Sequence, residues 1–349
     1  MGDDNWSRLS KFMSDETIEA MCHQLGQLSV AQDKIFSIVL HGGEPFLMGV
    51  PRLRKLLSKL RQILSEDYPI SIQTNGILIS NEILDVCADY QASVAVSIDG
   101  PKDIHDKVRV GHNSEGTFDA VIKGIAVLKQ HSETNFLNAG LLAVIDPTSN
   151  PSTVYHFFKS LGAPSVDFLY KDGNWDRLPD GKKSIFSVEY GKWMKELLNV
   201  YLNDADPIPI RIIDDMIKVL LGGISSKEGL GLTDFGIIII DTDGTIMKND
   251  TLKSSYNGAD KFNHSVNIKD KNLLGFLSSV EFRCYREMQR PKNTNCLSCT
   301  NLNLCGGGMI LHRWNIENQF ENPSVYCSDQ MYFIENMKSS LNAILKNYE

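Results

Sequence analysis

Through its first half the chain alternates short apolar runs with amphipathic stretches. Residues 35–40, 70–74, 93–98, 140–145 and 166–170 are rich in Ile, Val, Leu and Phe. Bounded apolar runs of this kind read as buried strands. Between them, residues 52–64, 83–90, 118–130 and 153–161 repeat apolar positions three and four apart, the period of a helix buried on one face. In the first of these, Leu53, Leu56, Leu57, Leu60 and Leu64 form the apolar stripe, and Arg52, Arg54, Lys55, Lys59 and Arg61 fall outside it. That basic run reads as a solvated helix face. Strands alternating with helices predict a parallel sheet covered by helices. No Gly-x-Gly-x-x-Gly turn follows a strand, so the expected α/β fold is a full or partial (β/α) barrel rather than a dinucleotide-binding sheet.

The rhythm changes beyond residue 173. A longer irregular stretch carries two helical pieces, 188–201 and 212–221. Residues 235–240, the segment Asp241-Thr242-Asp243-Gly244 and residues 245–248 then read as a β-hairpin closed by an Asp-Gly turn. A last helix is expected over 329–345. The domain boundary is expected near residue 230, with residues 1–230 forming the barrel-like unit and 231–349 a smaller one.

Composition narrows the function. With 349 residues, 42% of them hydrophobic, the chain can bury a core in about two domains. A formal net charge of -8 argues against nucleic acid as a partner. The longest apolar runs, such as residues 236–240, are too short to span a bilayer, and the start Met1-Gly2-Asp3-Asp4-Asn5-Trp6 is acidic and polar rather than signal-like. The expected location is cytoplasmic, with no membrane partner.

Polar residues gather where strands are expected to end, which in a barrel is the active-site rim. Gly42-Gly43-Glu44-Pro45 follows the first strand. Two glycines expose backbone groups and Glu44 adds a carboxylate, a set suited to a cationic amino group. A tight turn with a solvated glutamate explains the same residues equally well. Gln73, Thr74 and Asn75 end the second strand. Ser97 and Asp99 end the third and suit sugar hydroxyls, while Arg109, beyond His105 and Asp106, suits a carboxylate. The plain alternative is a turn with a capping Asp106 and a structural His105. Asp241, Asp243 and Tyr170 are candidates for a proton relay, although the hairpin turn already accounts for Asp243 and is the favoured reading.

Seven cysteines complete the inventory. Cys22 and Cys87 lie in helical patterns and read as core thiols, and Cys284 is isolated. The other four are concentrated: Cys296-x2-Cys299-x5-Cys305 runs into Gly306-Gly307-Gly308, and Cys327 follows Asn322-Pro323. Four soft ligands this dense favour zinc or an iron–sulfur cluster.

In this order, Gly42-Gly-Glu-Pro45, Gln73-Thr-Asn-Gly76, Ser97-Ile-Asp-Gly-Pro101, His105-Asp106-x-x-Arg109, Gly116-Thr-Phe118 and the late cysteines with His312-Arg313 resemble the radical S-adenosylmethionine (SAM) enzymes that carry a C-terminal SPASM or twitch domain. Among these, the chain is most similar to maturases of ribosomally made peptides, including those forming cyclophane crosslinks. The residues that carry this are His41, Pro51-x-Leu-x-x-Leu56, Asp167-Phe-Leu-Tyr170 and Asp250-Thr-Leu-Lys253. The resemblance implies a partial (β/α) barrel of radical SAM type followed by a small cysteine-rich domain. It implies that Gly42, Gly43, Glu44 and Pro45 meet the SAM amino group, with Gln73 and Asn75 on the same rim. Ser97 and Asp99 would lie near the ribose and Arg109 near the SAM carboxylate. Cys296, Cys299, Cys305 and Cys327 would hold an auxiliary [4Fe–4S] cluster. The implied chemistry is hydrogen abstraction from a precursor-peptide side chain by a 5′-deoxyadenosyl radical, with an electron donor and a leader-recognition protein as further partners.

One departure is large. The C-x3-C-x2-C that binds the SAM cluster is not in the chain, whose only cysteine before residue 80 is Cys22. The expectation is that the sequence starts just downstream of that motif and lacks the first barrel strand. A second [4Fe–4S] cluster would then require the motif to be supplied. Two alternatives stand beside this reading: a non-catalytic iron–sulfur or peptide-binding relic of the same lineage, and a zinc-ribbon α/β protein.

Overall fold

The computed structural model describes residues 9–111, 113–225, 227–233, 236–270 and 272–346. Five strands form one parallel sheet in the order of the sequence: β1 (Ile38–Leu40), β2 (Ile70–Thr74), β3 (Ala92–Ser97), β4 (Asn138–Val144) and β5 (Val166–Leu169). Helices α1 (Asp15–Ala31), α2 (Gly49–Ile63), α3 (Asn81–Asp89), α4 (Lys102–His105), α5 (Phe118–Gln130), α6 (Thr134–Leu137) and α7 (Pro151–Leu161) precede or connect them. Sequential order is what a barrel requires. Each crossover turns the same way and adds the next strand on the same side, whereas a doubly wound sheet reverses direction at a switch point. The chain therefore forms the expected partial barrel. Its first strand is shorter than the apolar run 35–40, because only Ile38, Val39 and Leu40 find partners on β2.

The pleat sorts the strand residues into two faces. Ile70, Ile72, Val94, Val96, Leu141, Ala143, Val166 and Phe168 are buried under the helices. Phe168 shows the direction: its ring packs edge-on against Phe158 of α7 and against Trp193. The alternate residues, among them Gln73, Ser97, Leu142 and Asp167, therefore face the barrel interior. Strand register sets Ser97, Leu142 and Asp167 side by side in one layer.

All five leucines expected on the stripe of α2 are buried. The basic face around them is solvated as expected, with Arg52, Arg54 and Lys55 exposed, and it also carries bridges to neighbouring elements. Lys55 pairs with Asp15 and Lys59 with Glu19, each at 2.6 Å, and Arg54 pairs with Asp89 at 2.7 Å. Arg61 donates to the carbonyls of Ser65, Tyr68, Tyr90 and Gln91. Neighbouring helices on a sheet stand close enough for long cationic side chains to bridge them. Exposed pairs add little each, but Arg61 ties four carbonyls from two separate turns to one guanidinium.

Beyond the sheet come α8 (Glu189–Asn203) and α9 (Arg211–Leu220). The hairpin forms as β6 (Ile239–Ile240) and β7 (Thr245–Met247), and β8 (Val266–Asn267) adds an antiparallel third strand. Phe235, where that strand was expected to begin, lies outside the described residues. Gly244 N–H donates to the Asp241 carbonyl at 2.9 Å, and Asp243 Oδ1 accepts from Thr245 N–H at 2.8 Å. Both aspartates thus close the turn. Short helices α10 (Leu273–Leu277), α11 (Val280–Met288), α12 (Thr294–Leu297) and α13 (Leu302–Cys305) lead to α14 (Cys327–Lys346).

The last helix returns to the first unit and packs along α8. A Cβ on Gly191 would stand 2.6 Å from the Asp329 carbonyl oxygen, so glycine permits the close approach. Lys182 and Asp329 form a fully buried ion pair in this seam, and Asp329 Oδ1 also accepts from Gly191 N–H at 2.8 Å. Tyr170 and Tyr190 pack on Tyr326 beside it, with centroids 4.6 and 4.9 Å away. Among the described residues, no helix is long and apolar enough to cross a membrane.

Candidate functional site at the barrel mouth

Glu44 is a structural tie as well as a rim carboxylate. Its Oε1 accepts from Phe46 N–H at 3.1 Å and from Thr74 Oγ1 at 2.7 Å, and its Oε2 accepts from Asn75 N–H at 2.7 Å. One side chain thus joins the loops after β1 and β2, which is more than the solvated turn glutamate of the plain reading. Gly42 and Gly43 have φ of 89° and 48°, a left-handed backbone that favours glycine. Both are exposed, and a Cβ on either would meet nothing within 4 Å. Pro45 is buried at the start of a short 3-10 turn.

The next two strand ends are connected before any ligand arrives. Gln73 donates to Ser97 Oγ at 2.9 Å and to the Ala95 carbonyl at 3.2 Å. Asn75 Oδ1 accepts from Ile77 N–H at 3.0 Å. Asp99 holds Arg109 with both oxygens, at 2.7 Å to Nε and 3.0 Å to Nη2, and also accepts from Val144 N–H at 3.0 Å. Asp99 therefore fixes Arg109 and links the end of β3 to β4. Fully buried His105 accepts from Asp99 N–H at 3.3 Å and meets Thr117 Oγ1 at 3.0 Å; burial holds its imidazole below the usual range. Asp106 accepts from Phe118 N–H at 2.9 Å at the start of α5. His105 and Asp106 take the structural roles that the plain reading gave them.

The late cysteines come from the stretch between α12 and the start of α14. Cys296 sits on α12 and is capped through Asn293, whose Oδ1 accepts from Cys296 N–H at 2.9 Å. Cys299 follows that helix, Cys305 ends α13, and Cys327 begins α14. Burial pushes the Cys305 thiol up to about 12, and the charges of Cys327 and Cys296 add to the rise. Cys327 is raised by burial and then by Cys296 and Cys299. Cys296 and Cys327 are thus within electrostatic reach of Cys305, and Cys299 of Cys327. Among the described residues, however, no group of three Cys, His, Asp or Glu converges tightly enough for a single metal ion.

The glycines after Cys305 turn the chain sharply. Gly306, Gly307 and Gly308 have φ of 64°, 83° and 68°. Their carbonyls point at Arg313, which is buried and donates to Gly307, Gly308 and Gln289 at 3.0, 2.6 and 2.7 Å. Burial holds this guanidinium down to about 10, and the thiols of Cys296 and Cys305 oppose the fall. Arg313 thus places a buried positive charge within electrostatic reach of Cys296 and Cys305.

One loop, unremarked in the sequence, joins the two regions. Lys227 reaches the barrel interior and pairs with Asp167. Glu228 Oε2 accepts from Asn249 Nδ2 at 2.6 Å, just beyond the hairpin. A Cβ on Gly229 would fall 2.6 Å from Met309 N, and Gly231 N–H donates to the Leu304 carbonyl at 2.9 Å. Residues 227–231 thus touch the sheet, the hairpin and the cysteine–glycine turn in succession. His41 Nε2, on the rim, stands 3.8 Å from Asp250 Oδ2 on the hairpin side. The stretch before residue 230 carries no periodicity and no motif, so sequence offered no signal for Lys227 or Glu228.

Comparison with known proteins gives this arrangement a lineage. The cysteine-type anaerobic sulfatase-maturating enzyme of Clostridium perfringens is 25% identical over 333 residues, covering 93% of this chain and 86% of the enzyme. The serine-type enzyme of Klebsiella aerogenes is 26% identical over 310 residues, covering 86% and 73%. The solved structure of native anSMEcpe with bound AdoMet and Kp18Cys peptide superposes with a TM-score of 0.80 at 22% identity, over 96% of this chain and 91% of that one. Streptococcus suis SuiB superposes at 0.59 and 15% identity, over 87% and 69%. Residues 5–158 match the Radical SAM superfamily. That matched segment is the greater part of the partial barrel.

Proposed function

We propose that the chain is a peptide maturase of the radical SAM lineage, oxidising a side chain of a precursor peptide, with crosslink formation of the cyclophane type as the specific outcome. The observation that carries this is the loop 227–231, which ties the barrel interior to the four-thiol pocket. The relatives named above mature sulfatases, and anSMEcpe holds a peptide in its solved structure, which supports a peptide substrate.

SAM cleaved at a reduced [4Fe–4S] cluster supplies a 5′-deoxyadenosyl radical. On this chain, exposed Gly42 and Gly43 and the Glu44 carboxylate would take the SAM amino group, with Pro45 setting the turn. Gln73 and Asn75 would shape the rim. Ser97 would meet the ribose, Asp99 would act there chiefly by holding Arg109, and Arg109 would take the SAM carboxylate through the terminal nitrogen that Asp99 leaves free. Cys296, Cys299, Cys305 and Cys327 would hold an auxiliary [4Fe–4S] cluster. A cubane separates its ligand sulfurs more widely than one ion does, so thiols that interact without converging on an ion favour the cluster over zinc.

Among the described residues, the loops after β1 and β2 offer a SAM cluster no cysteine. Cys22 is buried in α1, burial raises its thiol, and no other cysteine precedes residue 80. This observation favours a second reading, an iron–sulfur or peptide-binding relic without radical chemistry. The two are separated by assaying 5′-deoxyadenosine under dithionite, for the chain alone and for the chain preceded by a C-x3-C-x2-C segment encoded in frame upstream. The maturase reading expects nucleoside only from the extended protein. Silence from both would leave the relic.

A further inference from the structure

Among the described residues, the buried side-chain atoms without a hydrogen-bond partner divide by element. The oxygens are scattered, on Asp167, Glu189, Glu228, Thr242 and Asp260. The nitrogens are not. Gln289 Nε2, Asn293 Nδ2 and His312 Nε2 all fall between residues 289 and 312, the stretch that carries Cys296, Cys299 and Cys305. Buried donors are nearly always paired, and an unpaired one costs free energy. Unpaired nitrogens gathered around thiols point to acceptors that the polypeptide does not itself supply.

Bonds already made tie each of the three to the cysteine turn. The Gln289 carbonyl accepts from Arg313, which also holds the Gly307 and Gly308 carbonyls. His312 is 2% exposed, and its backbone N–H donates to the Met309 carbonyl at 3.1 Å. Asn293 makes the direct link. Its Oδ1 accepts from Cys296 N–H at 2.9 Å, which fixes the amide and leaves Nδ2 as its free end. That nitrogen therefore sits one amide width from an atom bonded to Cys296. Sulfur already serves as an acceptor nearby, since Asn301 N–H donates to Cys299 Sγ at 3.4 Å. A neutral thiol accepts weakly, whereas the sulfurs of an iron–sulfur centre carry negative charge and accept such bonds well. Each bond favours the more negative, reduced state and so raises the potential.

We propose that Asn293 donates from Nδ2 to a sulfur of the auxiliary cluster beside Cys296 and raises the reduction potential of that cluster. This rests on the reading of Cys296, Cys299, Cys305 and Cys327 as cluster ligands and adds the side chain that sets their redox poise. One amide then serves twice: its oxygen starts α12, and its nitrogen addresses the cluster.

The test uses the chain reconstituted anaerobically, with iron, sulfide and zinc counted first. Asn293→Ser and Asn293→Asp both keep an oxygen able to cap Cys296 N–H and both lose the amide donor; the first adds no charge. Redox titration read by EPR should show a lower midpoint in both variants. In Asn293→Ser the ratio of reduced to oxidised cluster at a fixed potential should fall about tenfold, about 59 mV for one electron. Asn293→Asp should fall further, because its carboxylate opposes added negative charge. Pulsed EPR of the reduced wild type, grown with asparagine isotopically labelled at the side-chain nitrogen, should show a coupled nitrogen and an exchangeable proton. Both signals should vanish in the variants. An unchanged midpoint in both variants, or a wild-type cluster without that coupled nitrogen, would overturn the assignment. An exchangeable proton without the nitrogen would give the bond to a buried water and overturn it as well. The wild-type spectrum decides even where a variant loses its cluster. A wild type that returns zinc or no cluster sinks the cluster reading and this bond with it; a cluster without asparagine coupling sinks the Asn293 bond alone.

Discussion

At the scale of the residue, Asp99 and Glu228 show what burial does to a carboxylate. Asp99 is saturated: both oxygens hold Arg109 and one also takes Val144 N–H. Asp99→Ala would leave a guanidinium and an amide without this partner at the C-terminal ends of β3 and β4. We expect a loss of about 1.5–3 kcal/mol, read by urea unfolding, since Arg109 keeps 29% of its side chain in solvent and can be rehydrated there. Glu228 is under-satisfied, and burial pushes its carboxyl up to about 7 from an ordinary 4.5, with Asn249 and Arg313 opposing the rise. The folded state then binds this proton more tightly than the unfolded chain. The contribution is complete below about pH 4.5 and is lost as pH rises through about 7, with an upper bound on the order of 3 kcal/mol. Stability curves at several pH values should show that decline in the wild type and a flatter profile in Glu228→Gln. An identical slope in both would place the titration elsewhere.

At the scale of the element, the turn after α13 depends on its glycines. A Cβ on Gly306 would stand 2.2 Å from the Gly231 carbonyl oxygen while the backbone sits at φ 64°. Gly306→Ala should therefore cost roughly 2 kcal/mol or more and reduce iron incorporation, since it pushes loop 227–231 away from the cysteine turn. Gly275 in α10 offers the control. Its Cβ would meet only Asn272 Cβ, at 3.9 Å. Gly275→Ala should raise Tm slightly, because alanine favours a helix over glycine. The seam between α8 and α14 gives a second case. Asp329→Ala would strand Lys182 in a fully buried position and should cost about 3–5 kcal/mol, whereas Lys182→Met combined with Asp329→Leu should recover most of that loss. Calorimetry on the wild type and these two variants decides it; equal melting of the single and double variants would mean that the charge pair is not the source of the loss.

At the scale of the molecule, the barrel and the cysteine pocket are separable in composition and joined in space. The barrel core is built on leucines, valines and isoleucines that need no metal. Anaerobic purification of the chain should give a brown protein with one [4Fe–4S] cluster and no zinc. Cys305→Ser should lose that cluster while far-UV circular dichroism keeps the barrel signal. Iron retained in full by this variant would remove Cys305 from the ligand set.

The sequence alone determined the parallel sheet, the leucine stripe of α2, the hairpin and the four-cysteine cluster. Each is written in a local period or spacing, which physical chemistry reads without knowing the rest of the chain. It also supplied the rim residues, because strand ends are marked by glycine, asparagine and aspartate. Only the tertiary structure decided what those residues touch. Glu44 became a tie between strand loops, Asp99 became the holder of Arg109, and the basic residues of α2 became bridges to its neighbours. Only the tertiary structure, too, brought Lys227 to Asp167 and Glu228 to Asn249, across stretches of sequence with no pattern to announce the meetings. Contacts of that kind depend on how helices and loops pack over the sheet. Such packing is settled by the summed burial of many side chains, which no short stretch of sequence contains.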